Sequence, residues 1–457
     1  MNSQEAPRHD EPAPDEQGLL ELAEWTLAKL ADAADYAQVY ASRSLTVHSE
    51  AYDGQTLATG LEPMTGVGCL VRQGARWRYR HVTPSSLGRL ASWLDASASP
   101  STGDAPADAL LRGPRPLGHV PTPAGQWPAP DPRTEYSLLV MEDFTARAFA
   151  VADTDGVRAA CADRVLRQRV KATVTVGGHP YRGMNRRVLR GAAIAEAARG
   201  TEDLVRVALD HALDASVATL AGPRRTPVVF GPSAGAGFLH ELVGHALEGD
   251  NFALGSPYTT RLRRPGVLPP ALTVEDDPTL PDGYGSYAID DEGTPARTTP
   301  LLSGGDIGAP LASVRTVHRS GDAPTGNGRR RSYRDLAIPR ASNTVVRPGG
   351  DRAAELLAVG PQGLLYVGCL GAGMINLMTG EYSFSALDCT FLTPDGHRVP
   401  VRDVSLFGDA LDALERVEGI GADVGGDSVS CGKQGQMIGI GIYSPTMRFA
   451  ALDWSAG

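Results

Sequence analysis

The residues of this chain best suited to chemistry lie in one short segment, His240-Glu241-Leu242-Val243-Gly244-His245. Two imidazoles and a carboxylate on one helix are typical of a zinc hydrolase, in which the imidazoles bind the ion and the carboxylate takes a proton from water. The familiar pattern spaces its histidines four apart, but these are five apart, which is about 140° around an ideal α-helix. A turn widened to i→i+5 hydrogen bonding would realign them. The spacing therefore predicts a π-like turn at Val243 and Gly244, and the alternative is two unrelated histidines.

A third metal ligand is needed, because a catalytic zinc site uses three protein side chains and one open position for water. The segment supplies two of them. The remaining candidates are Glu248, one turn beyond His245, and a distant cysteine, histidine or carboxylate. Gly249 predicts the end of the helix, so Glu248 is expected to point away from the site.

The elements that position this helix are predicted from periodicity. Helical spacing of apolar residues predicts helices over residues 18–34, 85–96, 135–151, 203–220 and 238–248. Alternating or short apolar segments predict strands over residues 37–42, 45–49, 66–72, 77–80, 167–176, 186–190, 227–230, 363–368, 382–391 and 437–442.

The predicted organisation is a two-domain α+β protein. Residues 1–17 are acidic and Pro-rich and are predicted to form a disordered tail. Residues 18–222 form an α+β domain interrupted by a Pro-rich connection over 97–133, and residues 223–457 form a β-rich domain that carries the histidine helix. The length of 457 residues agrees with two compact units.

Composition narrows the functional class. The formal net charge of −10 argues against a nucleic-acid surface. The chain has no apolar run long enough for a membrane span and no amino-terminal secretory pattern. Its five cysteines are scattered, which predicts a reducing, cytoplasmic location. The densest basic run, Arg329 to Arg331, is expected to be a solvated loop.

A family resemblance emerges from several segments together. The residues from His240 to Asp250 resemble the signature helix of the TldD/PmbA family, in its metal-binding TldD branch. Four further segments resemble the family in the same order: Gly285 to Pro295, Pro324 to Arg330, Pro339 to Thr344 and Cys431 to Gln436. The resemblance is strong from about residue 226 onward and weaker before it.

This resemblance implies the missing ligand and the partners. In TldD-like proteins the cysteine of the Cys-Gly-Lys-x-Gly-Gln segment is the third zinc ligand, which corresponds to Cys431 here. The family implies one Zn²⁺ per catalytic subunit and a dimer, either with a PmbA-like (TldE-like) subunit or with a second copy of the chain. It also implies extended peptide substrates, held as added β-strands in the C-terminal domain.

Five further residues are candidate substrate contacts, because they lie in two segments of the resemblance, the acidic segment (Gly285 to Pro295) and the Gly/Arg segment (Pro324 to Arg330): Asp291, Glu292, Asn327, Arg329 and Arg330. The alternative for the acidic residues is a surface turn. Asn327 lies between two glycines and suits a left-handed turn, so its expected role is conformational. For the arginines we favour pairing with the acidic segment over a grip on substrate.

The function predicted is that of a zinc metallopeptidase with His240, His245 and Cys431 as ligands and Glu241 as the base, acting on unfolded or modified peptides. One alternative is a biosynthetic enzyme that acts on a small amide or amino-acid-derived metabolite at the same site. The other is a non-catalytic, peptide-binding subunit of a complex.

Overall fold

The computed structural model describes residues 14–83, 135–196, 200–219, 221–266 and 268–457. Within these ranges one six-stranded sheet comes from the first half of the chain. A second six-stranded sheet, a seven-stranded sheet and a two-stranded ribbon come from the other half. This strand-rich α+β architecture confirms the predicted fold class. None of the described helices combines the length and apolar character needed to cross a membrane. The helix predicted over 85–96, the connection over 97–133 and most of the tail lie outside the described residues.

Six long strands form the amino-terminal sheet: β1 (Tyr36–Tyr52), β2 (Gln55–Gln73), β3 (Arg76–Val82), β4 (Glu135–Asp153), β5 (Arg158–Val176) and β6 (His179–Arg190). Their order is β3-β2-β1-β4-β5-β6, and every neighbouring pair is antiparallel. The strands predicted over 167–176 and 186–190 are confirmed as parts of β5 and β6. Those predicted over 37–42 and 45–49 are two parts of the single strand β1.

Two helices, α1 (Pro14–Ala28) and α2 (Thr201–Val217), cover one face of this sheet. Leu22 of α1 packs with β1, β2 and β4, whereas Ala208 of α2 packs with β4 and β5. α1 begins inside the predicted tail, which corrects the boundary at residue 17. A proline suits the first helical turn, because its φ is already helical and its missing N–H would be unpaired there anyway. α2 confirms the helix predicted over 203–220.

The helix predicted over 135–151 is wrong, because this segment is the strand β4. Both faces of β4 are packed. Ala148 and Ala150 lie under α1, and Phe149 and Val151 lie on the opposite face with Tyr333 of the second half. A strand buried on both faces has a nearly continuous apolar sequence, which periodicity cannot distinguish from a buried helix.

The described residues of the second half form fifteen strands: β7 (Ala221–Phe230), β8 (Val274–Asp276), β9 (Thr299–Ser303), β10 (Asp306–Ile307), β11 (Gly328–Arg329), β12 (Ile338–Pro339), β13 (Asn343–Val346), β14 (Leu364–Ile375), β15 (Glu381–Leu392), β16 (Arg398–Pro400), β17 (Val404–Asp409), β18 (Val417–Ile420), β19 (Gly425–Lys433), β20 (Gln436–Ser444) and β21 (Met447–Ala456). Its helices are short: α3 (Ala234–Leu239), α4 (Gly249–Phe252), α5 (Pro257–Leu262), α6 (Val314–Ser320), α7 (Ala353–Leu356) and α8 (Ala410–Glu415).

The seven-stranded sheet closes on itself. Its order is β14-β7-β21-β17-β15-β16, β18 pairs with β21, and an additional pairing of β14 with β15 joins five strands into a ring. The other large sheet has the order β10-β9-β8-β13-β20-β19, in which only β13 and β20 are parallel. α3 packs between them, since Phe238 and Leu239 belong to the same core as residues of both sheets.

The strands predicted over 363–368, 382–391 and 437–442 are confirmed within β14, β15 and β20. The domain boundary at residue 222 stays a prediction. The strand β7 begins at Ala221 and leads directly into the segment that carries the two histidines.

Candidate metal centre

A distorted helical turn carries the two histidines. α3 ends at Leu239 and is followed by a π-helical turn, His240–Gly244, and a 3-10 turn, His245–Leu247. The backbone N–H of His245 donates to the carbonyl of His240, which is the i→i+5 bond that the five-residue spacing requires. The hydroxyl of Tyr258 donates to the carbonyl of Leu242 at 2.5 Å and supports the turn from outside. The two imidazole centroids lie 4.7 Å apart.

Gly244 lets the widened turn pass close to the first imidazole. A Cβ at this position would lie 3.3 Å from Nδ1 of His240, tighter than ordinary van der Waals contact. The backbone φ of Gly244 is −56°, so the glycine is needed here for space and not for a left-handed conformation.

The thiol of Cys431 lies against both rings. Its Sγ is 3.3 Å from Nε2 of His240 and 3.2 Å from Nε2 of His245. All three side chains are buried, and their ligand atoms lie within 4.8 Å of one another. Cys431 reaches this position from β19, which pairs with β20 in the described part of the chain.

The other nitrogen of each imidazole has its own partner. Nδ1 of His240 lies 3.0 Å from Oγ1 of Thr344, and Nδ1 of His245 lies 2.9 Å from Oε2 of Glu248. A carboxylate can only accept, so Glu248 holds the proton of His245 on Nδ1 and leaves Nε2 as a metal ligand. The expectation that Glu248 points away from the site is therefore wrong, because its carboxylate contacts His245. The chain after His245 turns with an extended Glu248 (ψ 126°), which returns the carboxylate to the ring.

Glu248 is completely buried and surrounded by cations. Nζ of Lys433 lies 3.0 Å from its Oε2, and Nε of Arg340 lies 3.6 Å from its Oε1. Lys433 also contacts Asp250 at 2.5 Å. Burial by itself would raise the pKa of Glu248, but His245, Lys433 and Arg340 lower this pKa to about 2. The carboxylate is therefore ionised at neutral pH and fixes the orientation of His245.

The electrostatics of the three candidate ligands favour a bound cation. Burial raises the pKa of the Cys431 thiol, but His240 and His245 outweigh burial and lower it to about 4. Burial lowers the pKa of His245, whereas Glu248 and Cys431 raise it well above its usual value. A thiolate beside two imidazoles is a donor set that suits zinc, and positive charge is stabilised at this position. The residues present therefore fit a zinc ion.

Glu241 lies near the same ring nitrogen of His245 as the thiol of Cys431 does. Its Oε1 is 3.7 Å from Nε2 of His245. Burial raises the pKa of Glu241, and the two histidines partly oppose that shift. A carboxylate with a raised pKa is suited to exchange a proton near neutral pH.

A cavity of about 510 Å³ opens onto these side chains. Its walls include β14 from Leu370 to Ile375 and β19 from Val429 to Lys433. Two methionines on these walls, Met374 and Met437, are more than half exposed. A ligand larger than water can therefore reach the side chains of the candidate metal centre through this cavity.

The five other candidate residues lie away from this cavity. Asp291, Arg329 and Arg330 line a second, larger cavity, while Glu292 and Asn327 line neither of the two. Asn327 has fully used its amide, because it donates to Asp276 and to a carbonyl and accepts from Thr325. Nothing brings these five residues into contact with His240, His245 or Cys431.

The basic run is only partly solvated: Arg331 is exposed, but Arg330 is buried and Arg329 is half-buried, so the expectation of a solvated loop is wrong for these two residues. Arg330 is only 3 % exposed and lies over the ring of Tyr40, with its guanidinium donating to the carbonyl of Asp291. Arg329 donates to the carbonyls of Ala341 and Gly439. From the sequence, an ion pair between the acidic segment and Arg329 or Arg330 was expected. The carboxylate of Asp291 in that segment instead forms its ion pair with Arg147 of β4. Arg330 and Arg147 thus connect the two halves of the chain.

Sequence reasoning missed three residues around the ligands: Thr344, Arg340 and Lys433. Each lies in a segment that carries the family resemblance, but the residue types alone gave no signal of contact with an imidazole or with its carboxylate. Thr344 lies 104 residues from His240 in the sequence, and Arg340 lies 91 residues from Cys431, so these contacts arise only from the tertiary structure.

Comparison with known proteins identifies the family of the chain. Residues 223–455, just over half of the chain, match a family model described as the PmbA/TldA metallopeptidase C-terminal domain. The chain belongs to the PmbA/TldD family. The match covers most of β7, the histidine turn and Cys431, so the matched segment contains the whole candidate metal centre.

Relatives of the family are named as metalloproteases. The Metalloprotease TldD homolog of Buchnera aphidicola is 30% identical over 255 residues, which is 55% of this chain and 52% of that protein. A metalloprotease of Methanothermobacter thermautotrophicus is 35% identical over 225 residues, 49% of each chain. The chain thus spans about half the length of the curated relatives it matches.

The fold extends beyond the matched domain. The crystal structure of TldE from Thermococcus kodakarensis superposes with a TM-score of 0.69 over 95% of this chain and all of that one, at 15% identity. This likeness concerns the fold of both halves.

Proposed function

We propose that this chain is a zinc-dependent metallopeptidase that hydrolyses amide bonds in unfolded or modified peptides. The observation that carries the proposal is the convergence of His240, His245 and Cys431 on one point, with Glu241 beside them. Membership of a metallopeptidase family supports the same reaction class.

Zinc held by these three side chains would supply a Lewis acid that polarises the scissile carbonyl and lowers the pKa of water. Glu241 takes a proton from the attacking water and returns it to the leaving nitrogen. Burial raises the pKa of Glu241, which brings the carboxylate closer to the pH at which both transfers are efficient. Glu248 and Thr344 keep the two imidazoles in the required orientation and tautomer.

We propose that the substrate binds as an added β-strand. β19 is the last strand of its sheet in the described part of the chain, and it forms a wall of the cavity at the metal centre. An extended peptide can pair with such an edge through its backbone, which makes binding tolerant of sequence. A folded protein cannot present its backbone in this way, so unfolded segments are the preferred substrates.

We also propose a dimer with a TldE-like subunit, or with a second copy of the chain, located in the cytoplasm. The fold shared with TldE supports the first arrangement. All five cysteines are unpaired, which agrees with a reducing compartment. Light scattering of the chain alone and after mixing with a TldE-like chain distinguishes the two arrangements.

The deciding experiment is the substitution Glu241→Gln. The variant is expected to bind one equivalent of zinc but to lose turnover of unfolded peptides by at least about 100-fold, since general-base catalysis is typically worth that much. Glu275→Gln is the matched control, because Glu275 pairs with Arg347 and lies outside the cavity. Undiminished hydrolysis by the Glu241 variant, or purified wild-type chain that binds no zinc, would contradict the proposal.

A further inference from the structure

The face of the amino-terminal sheet opposite its helices borders a cavity of about 1080 Å³. Side chains of β1, β4 and β5 form one wall, and the acidic segment and the β19–β20 hairpin form the other. Two residues, Ser430 and Met437, line this cavity and also the cavity at the metal centre. The two spaces therefore meet at the β19–β20 hairpin.

β19 divides the two cavities. Successive side chains of a strand point to opposite faces, so Cys431 faces the imidazoles while Ser430 faces the amino-terminal sheet. A peptide added to the edge of β19 would alternate in the same way. Every second substrate side chain, or the substrate's chain end, would then enter the larger cavity.

Arg167 of β5 lies beside Ser430 on the wall of the larger cavity, where a substrate side chain or chain end would enter. Its Nη1 lies 3.4 Å from Oγ of Ser430, while Nε and Nη2 contact Oδ2 of Asp143 at 3.0 and 2.6 Å. These contacts use three of the five N–H groups of a guanidinium, which leaves two for a ligand. The side chain is 31% exposed and lines the cavity.

Asp143 holds Arg167 in place without neutralising the cluster. The same carboxylate also contacts Arg169 at 2.9 Å and Nδ1 of His48 at 2.6 Å. Burial would raise the pKa of Asp143, but His48 and Arg167 lower it, so the carboxylate stays charged. His48 also contacts Glu62 at 3.4 Å. The two guanidiniums share the one carboxylate of Asp143, so Arg167, Arg169 and Asp143 together carry excess positive charge.

Other arginines on the cavity wall differ from Arg167 in their contacts. Arg190 donates to three backbone carbonyls and pairs with Asp163, Arg147 pairs with Asp291, and Arg331 is half exposed and lies 3.5 Å from Asp335. Arg167 combines unused donors, fixed orientation and a place beside β19.

We propose that Arg167 is a substrate-binding residue that takes a carboxylate of the bound peptide in the larger cavity. The carboxylate comes from the peptide's C-terminus or from an Asp or Glu side chain, since both present the same planar acceptor to a guanidinium. This inference rests on the proposed peptidase function and adds a preference in substrate choice to it.

The test measures binding and not turnover. Fluorescence anisotropy with zinc-loaded Glu241→Gln protein compares three peptides of one sequence: a free C-terminus, a C-terminal amide, and the amide with one Gln changed to Glu. We expect at least one carboxylate peptide to bind roughly tenfold more tightly than the plain amide, the value of one charge-assisted hydrogen bond. The arm that shows the preference identifies the source of the carboxylate.

Adding Arg167→Gln should remove that preference and leave the affinity for the plain amide unchanged. Arg169→Gln is the matched control, because Arg169 contacts the same Asp143 but does not line the cavity. It should retain the preference. Arg167→Lys keeps the positive charge but loses the two-donor geometry of the guanidinium, so it should keep part of the preference for the carboxylate peptides. It replaces the Gln variant in the test if that variant does not fold.

Two outcomes overturn the inference alone: no preference for a carboxylate, or an equal loss of affinity for all three peptides in the Arg167 variants. In both, wild-type cleavage of the amide peptide would leave the peptidase function standing. If the wild-type protein neither binds nor cleaves any of the three peptides, the proposed function is refuted, and so is the proposed role of Arg167.

Discussion

Removing the carboxylate of Glu248 should weaken zinc binding, although Glu248 is not itself one of the three ligands. The carboxylate accepts from Nδ1 of His245 at 2.9 Å and offsets the charges of Lys433 and Arg340. Without it, the imidazole loses the partner that fixes its tautomer, and two buried cations face an incoming Zn²⁺ with less compensation. Both effects oppose metal binding.

The expected magnitude follows from the contacts that each substitution keeps. Loss of a carboxylate behind a metal-binding histidine typically costs 10- to 100-fold in affinity, which is about 1.4 to 2.7 kcal/mol. Glu248→Gln keeps an oxygen that can accept from Nδ1 and should lie near the tenfold end. Glu248→Ala keeps no acceptor and should lie near the hundredfold end.

The assay is a zinc titration at pH 7.5 in competition with a chromophoric chelator. Asp250→Asn is the matched control, since Asp250 also contacts Lys433 but makes no contact with His245. Its zinc affinity should stay within about twofold of the wild type. Unchanged affinity in Glu248→Ala, or an equal loss in Asp250→Asn, would refute the reasoning that the carboxylate acts through His245.

Three further predictions concern the turn, the metal and pH. Gly244→Ala should weaken zinc binding severalfold, because its Cβ would crowd Nδ1 of His240, while the metal-free protein becomes no less stable, since alanine favours helix. Zinc at about 1,000 times its dissociation constant should stabilise the protein by about 4 kcal/mol, measured by thermal unfolding with and without a chelator. Burial raises the pKa values of Asp290 and Glu292, so the folded state retains protons that the unfolded state releases, and stability should fall as pH rises from about 4 to 8. Glu292→Gln should flatten that decline in urea unfolding series.

Each of the three has a clear contrary result. A Gly244→Ala protein with unaltered zinc affinity would show that the imidazole has room to move. An unfolding temperature that does not respond to zinc would mean that the three side chains do not form a folded-state metal site. Stability that rises between pH 4 and 8 in the wild type, or the same slope in Glu292→Gln, would show that these buried carboxyls do not control the pH dependence.

The sequence by itself determined the chemistry of the histidine segment. His240, Glu241 and His245 lie within six residues, so helix geometry alone relates their directions and calls for the widened turn. The strand-rich α+β class and nine of the twenty-one described strands were also predictable, because alternation is a local property of the chain. The short strands of the second half and β19, which carries Cys431, were not predicted. The assignment of Cys431 came from the resemblance to the family and not from spacing.

Tertiary structure decided what local patterns could not. Cys431 is separated from His245 by 186 residues, and only the pairing of β19 with β20 brings its thiol to the rings. Glu248 was expected to point away, yet one extended residue after the 3-10 turn returns its carboxylate to His245. β4 looked helical because packing on both of its faces removed the alternation that identifies a strand. For Cys431 and β4 the deciding contacts join elements whose proximity arises only when the sheets pack, and a local pattern carries no record of that packing. For Glu248 the contact spans only three residues, and the backbone conformation after the 3-10 turn decides it.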